Sequence, residues 1–128
     1  MYKFERILNM DVDKAYGKLS QGLKEKGYVI LSYVDVKEII KNKFNEDFPG
    51  YYILDVCKPA AARELIIRNE EYGLFLPCKI VISGDGPSAK VSMLRVSDMA
   101  QKHLQDSPEH AEKYEDELIE VINSIQSS

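Results

Sequence analysis

Residues 51–66 read Tyr51-Tyr52-Ile53-Leu54-Asp55-Val56-Cys57-Lys58-Pro59-Ala60-Ala61-Ala62-Arg63-Glu64-Leu65-Ile66. Tyr51 to Cys57 is aromatic and β-branched and reads as a strand. Pro59 then suits the first position of a helix, where its missing N–H is not needed. Ala60, Ala61, Ala62, Leu65 and Ile66 carry that helix to about Asn69. A strand that gives way to a helix within two residues sets the expectation of an α+β chain.

The flanking sequence repeats the alternation. Residues 2–9 read as a strand with Tyr2 and Phe4 on one face. Asp11 caps a helix carrying Val12, Ala15, Tyr16, Leu19 and Leu23, ended by Gly27. Tyr28 to Val34 reads as a buried strand. Asp35 caps a short helix that should turn Val36, Ile39, Ile40 and Phe44 inward. Phe48-Pro49-Gly50 is a turn. Beyond the quoted stretch, Leu76–Ser83 and Ala89–Val96 read as strands joined by the turn Gly84-Asp85-Gly86-Pro87. Ser107 and Pro108 start a last helix, with Ala111, Tyr114, Leu118, Val121, Ile122 and Ile125 as its apolar stripe. Glu112, Glu115, Asp116 and Glu120 read as its solvated face. The order β-α-β-α-β-α-β-β-α predicts an α+β two-layer sandwich, its helices packed on a mixed sheet of about five strands. One domain is expected over residues 1–128.

Composition narrows the classes of function. Hydrophobic residues make up 45% and charged residues 30%, as a packed globular chain requires. The net charge of −4, with basic residues scattered, argues against nucleic acid as a partner. No apolar run reaches the ~20 residues of a membrane span. The N-terminal residues lack a signal peptide's apolar core, so a cytoplasmic setting is expected. There, two cysteines are expected as thiols rather than a constitutive disulfide. Two Cys and two His form no zinc-binding spacing, so no metal is expected. His103 and His110 flank a polar loop and read as exposed.

A set of phrases along the chain resembles one family. They are Gly27-Tyr28-Val29-Ile30-Leu31, Asp35-Val36-Lys37, Asp47-Phe48-Pro49, Tyr52-Ile53-Leu54, Cys57-Lys58-Pro59, Tyr72-Gly73-Leu74-Phe75-Leu76-Pro77-Cys78 and Lys79-Ile80-Val81-Ile82. Together they resemble DUF302, a family of uncharacterised bacterial and archaeal proteins. The resemblance implies a two-layer α/β fold, often a homodimer, with no settled activity and a hint of sulfur handling. One departure is visible: Val96-Ser97-Asp98-Met99 stands where the family carries a valine–aspartate–proline phrase.

The two cysteines are the candidate chemistry. Cys57 precedes a helix start, where unpaired N–H groups and the helix dipole favour negative charge. Such a position can lower a thiol's pKa. Lys58 adds a cation, the small residues Ala60, Ala61 and Ala62 leave room for a ligand, and Arg63 could reach in. Cys57, Lys58, Ala60, Ala61, Arg63 and Cys78 form the candidate ligand site, for a small molecule, an anion or a sulfur species. The plainer reading makes Cys57 a small buried hydrophobe, and Cys78 a packed strand residue. If the two strands run parallel, the thiols stand roughly 20 Å apart. If antiparallel, they share one sheet end and could bond if their Cα atoms lie within about 7 Å. Separate thiols are expected.

Three functions follow. The first is a binding or accessory module, a small homodimer with its ligand near Cys57. The second is a thiol-dependent enzyme with Cys57 as nucleophile or redox thiol, although no activating base or complete catalytic motif is identifiable. The third is a structural dimerisation or interaction domain. No cofactor is indicated.

Overall fold

The computed structural model describes residues 1–125. Its elements are β1 (Lys3–Leu8), α1 (Val12–Glu25), β2 (Val29–Asp35), α2 (Val36–Phe44), β3 (Gly50–Cys57), α3 (Pro59–Arg68), a 3-10 turn (Glu70–Leu74), β4 (Cys78–Gly84), β5 (Ala89–Leu94), α4 (Val96–His103) and α5 (Glu109–Ile125). The local signals behind them are visible. Asp11 accepts from Lys14 N at 2.8 Å and Asp35 from Glu38 N at 3.1 Å, each capping its helix. Gly27 follows α1 at φ +82°, a conformation glycine adopts without strain.

The five strands lie in the order β1-β5-β4-β3-β2. The expected two-layer α+β architecture is present, but the sheet is antiparallel throughout rather than mixed. The reason lies in the connections. α2 and α3 do not cross the sheet; each lengthens a turn, so β3 returns beside β2 and β4 beside β3. Only α1 makes a crossover, joining β1 and β2, which run the same way but occupy opposite edges.

One face of the sheet carries the main core. Leu54 and Val56 of β3, Ile80 and Ile82 of β4, and Val91 and Met93 of β5 pack against Ala15, Leu19 and Leu23 of α1 and Leu118, Val121 and Ile122 of α5. Each fully buried aliphatic side chain here contributes about 1.5–3 kcal/mol relative to exposure. At Gly22 a Cβ would lie 2.7 Å from Val121 Cγ1, so glycine lets α1 and α5 approach closely. A second, smaller core joins Leu65 of α3, Tyr72, Val96 and Ala100 of α4, and Ala111 of α5. Among the described residues, no helix is long and apolar enough to cross a membrane.

Four local expectations change. The strand expected to reach Val96 ends at Leu94, and Val96 opens the additional helix α4. Tyr28–Val34, expected as a buried strand, is an edge strand with Val29, Leu31, Tyr33 and Val34 exposed. α2, expected to turn Val36, Ile39, Ile40 and Phe44 inward, buries none of its residues, because it sits in the β2–β3 connection and packs chiefly beside β3. Glu115, expected on the solvated face of α5, is buried. It stands four residues after Ala111 and three before Leu118, so the helical period places it in the apolar stripe.

Candidate functional site

The ends of β3 and β5 and the start of β4 meet at one end of the sheet, where α3 and α4 begin. The antiparallel register pairs Val56 with Cys78 and Val29 with Cys57. Both thiols therefore share one sheet end, but successive residues of a strand point to opposite faces. Cys78 faces the helices and is buried, with Sγ 3.8 Å from Leu94 O. Cys57 faces the uncovered side and is half-buried. Both are free thiols. Burial pushes the Cys78 thiol up to about 12, helped by the negative charge of Glu115.

Lys58 turns away from the α3 terminus. Its ammonium lies 2.9 and 3.1 Å from the two Glu117 carboxylate oxygens and 5.2 Å from the centre of the Tyr28 ring. The Tyr28 hydroxyl sits within hydrogen-bond distance of Tyr114 O and Glu117 Oε1, and burial followed by the Glu117 charge raises its pKa. The α3 start itself offers little to an anion. Pro59 has no N–H, and Ala61 N and Ala62 N both donate to Lys58 O. Ala60 is left with the one first-turn amide that has no acceptor among the described residues.

Glu115 anchors the neighbouring helix. It accepts from Ser97 N at 2.8 Å, from the Ser97 hydroxyl, and from Arg95 Nε at 3.2 Å. No side chain of α4 caps that helix. A carboxylate from α5 instead occupies the position an N-cap would fill, where the dipole favours negative charge.

A cleft of about 550 Å³ opens between α3 and α5, lined by Ala60, Arg63, Glu64, Ile67, Arg68, His110 and Tyr114. Arg68 is held by Asp106, with Nε at 3.1 Å and Nη2 at 2.7 Å from its two oxygens. The Tyr72 hydroxyl donates to the same carboxylate. The guanidinium first, and the hydroxyl second, hold Asp106 well below the usual carboxylate range. Lys113 and the Tyr114 hydroxyl both engage Glu64, at 3.0 and 2.9 Å, and lower its pKa in that order. Arg63 is exposed and has no carboxylate partner among the described residues. Of the candidates named from sequence, Ala60 and Arg63 line this cleft, while Cys57, Lys58, Ala61 and Cys78 lie outside its lining. Glu64, Arg68 and Tyr114 were missed as site residues. Only the i, i+4 pair Glu64 and Arg68 beside Arg63 pointed to a charged face on α3.

The opposite end of the sheet holds a hollow of about 290 Å³, whose lining includes Asp11, Asp13, Asp35, Lys37 and Asp85. Its carboxylates are largely used: Asp11 and Asp35 cap helices, and Asp13 accepts from the Tyr52 hydroxyl at 2.8 Å.

The family model described as "Domain of unknown function DUF302" matches residues 4–125. The chain belongs to the DUF302 family. A solved structure supports the same assignment: an uncharacterized conserved DUF302 protein from Bacillus stearothermophilus superposes with a TM-score of 0.86 at 25% identity, covering 96% of this chain and 97% of that one. No curated protein matches the chain. DUF302 membership accounts for the fold and assigns no ligand or reaction to the cleft.

Proposed function

We propose that this DUF302 chain is a small binding module, and that its ligand is a small anion bearing an apolar group, held in the α3–α5 cleft. The observation that carries the reading is a local charge imbalance. Arg68 and Lys113 each have a carboxylate, whereas Arg63 points its charge at the same cleft without one. A phosphate, carboxylate or sulfur oxyanion would supply two oxygens to the guanidinium fork. Ala60 N–H stands at the start of α3 as a further donor, and Ile67 and Tyr114 supply apolar wall. Ala60 and Arg63 are thus the part of the sequence-derived site that this reading keeps.

Titration with inorganic phosphate, thiosulfate and benzoate, followed by amide chemical shifts, tests it. At least one probe should bind with a dissociation constant of about 1 mM or tighter, near −4 kcal/mol, and move the Ala60, Arg63 and Tyr114 signals. Arg63→Gln should weaken that binding at least about tenfold with the fold intact. Unchanged binding in Arg63→Gln, or no response to any of the three probes, overturns the proposal.

A further inference from the structure

His110 stands in the first turn of α5 and lines the same cleft as Arg63. Its side chain is 26% exposed, and Glu109 Oε1 lies 4.0 Å from Nε2. The Glu109 carboxylate is itself 77% exposed, and such a pair is worth little in water. The other charged groups around the ring are matched. From α3, Glu64 is engaged by Lys113 and Tyr114 of α5, and Arg68 by Asp106. Asp106, in the connection before α5, also accepts from the Tyr72 hydroxyl of the 3-10 turn. On α4, Lys102 pairs with Asp98 at 3.0 Å, and the His103 ring stacks on Phe75. α1 meets α5 at Val121, roughly 16 Å further along that helix. Among the described residues, this leaves Arg63, and His110 when protonated, as the lining cations with no hydrogen-bonded carboxylate. The imidazole is also close enough to act on its neighbours. Behind the hydrogen bonds from Lys113 and Tyr114, the His110 charge lowers the Glu64 pKa, and behind those from Arg68 and Tyr72 it lowers that of Asp106.

From this placement we infer that His110 is the second anion-binding cation of the cleft, and that its proton sets how tightly the cleft holds its ligand. The inference rests on the anion reading of the cleft. Histidine is the side chain whose charge changes between about pH 5 and pH 8. Protonated, it brings a positive charge and a donor at each ring nitrogen to the α5 wall, across from Arg63 on α3. Neutral, it brings no charge, and one nitrogen becomes an acceptor that an oxyanion cannot bond. The sign follows. An anion favours the protonated ring, so affinity is greatest on the acid side of the His110 titration and falls as pH rises through it. Linkage makes the effect reciprocal: a bound anion holds the proton on His110 to higher pH. The cleft therefore captures its anion in mildly acid conditions and releases it as the medium becomes alkaline.

Thiosulfate and benzoate keep their own charge across this range, so their dissociation constants at about pH 5.5 and about pH 8 test the inference. Amide chemical shifts measure them on the wild type, His110→Gln, His103→Gln and Arg63→Gln, and the same spectra confirm each fold. The wild type should bind at least one probe about tenfold more tightly at the lower pH, as one added charge-assisted hydrogen bond provides. His110→Gln should bind alike at both pH values, near the wild-type value at the higher one. Arg63→Gln should bind more weakly at both and keep the ratio. His103, the other histidine of the chain, lies outside the cleft lining, so His103→Gln should keep wild-type behaviour. The His110 ring-proton resonance gives a direct reading: saturating thiosulfate should move its titration midpoint up by about one pH unit. Equal wild-type affinity at both pH values overturns this inference and leaves the anion reading standing, whereas no binding at either overturns both. A ratio that survives in His110→Gln, or a midpoint that a bound anion does not move, also overturns it.

Discussion

Glu115→Ala should be among the most damaging single substitutions at a polar position. The carboxylate is 3% exposed and accepts from Ser97 N, the Ser97 hydroxyl and Arg95 Nε. Hydrogen bonds to charged groups are worth about 1.5–3 kcal/mol each. The desolvation of the carboxylate itself offsets part of that sum, and breaking a buried pair costs about 3–5 kcal/mol. The Arg95 side chain is one-quarter exposed and regains water when its partner is lost, so the lower end applies. The expected loss is about 3 kcal/mol, or a fall in Tm of about 10 °C for a chain of this size. Glu115→Gln keeps an acceptor for Ser97 N and should lose about half as much. Urea and thermal unfolding measure both variants. A loss below about 1 kcal/mol for Glu115→Ala would refute the capping role. Strict additivity between Ser97→Ala and Glu115→Ala would equally show that the two do not share one network.

Cys57 should react with iodoacetamide in the native protein near pH 8 while Cys78 stays unmodified until unfolding, so native Cys57→Ser should take up no label. Because the folded pKa of Cys78 is raised to about 12 by burial, its contribution to stability is full below the ordinary thiol value and is lost as pH rises through about 12. Cys78→Ala should therefore flatten the alkaline limb of an unfolding-against-pH curve. Asp106 has the opposite sign: its folded pKa is lowered, so its contribution is present above about pH 4 and is lost as pH falls. Asp106→Asn should flatten the acid limb by no more than about 1 kcal/mol, since its partner Arg68 is well exposed; an unchanged acid limb counts against the pairing. Gly27→Ala should destabilise by about 1 kcal/mol, measured by urea unfolding, because φ is +82° there.

Much of this fold is legible from local signals, because the signals and the contacts they predict lie close together in the chain. Asp11, Asp35, Pro59 and Gly27 each act within one helical turn of themselves. The helix α4 is different. Its cap is a carboxylate eighteen residues away on α5, so no N-cap residue announces it. Its own buried face consists of Val96, Ser97 and Ala100, too small to form an apolar stripe. The exposed edge β2 misleads for a related reason: an apolar strand reads the same whether it is covered by its own chain or awaits another surface. The position of Cys57 at the base of α3 is readable from Pro59, but whether its thiol joins Cys78 depends on pleat and register, which no local pattern states. Arg63 was visible as a cation, and its lack of a carboxylate was not, since Asp106, Lys113 and Tyr114 approach α3 from distant sequence.

The most direct test of the binding site is an anomalous difference map from a crystal soaked in selenate, which copies the oxyanion chemistry and reveals its own position. A selenium peak within hydrogen-bond reach of the Arg63 guanidinium, absent in Arg63→Gln, is the expected result. An empty cleft, with selenate bound instead at the start of α3 beside Cys57 or nowhere on the chain, would contradict the account.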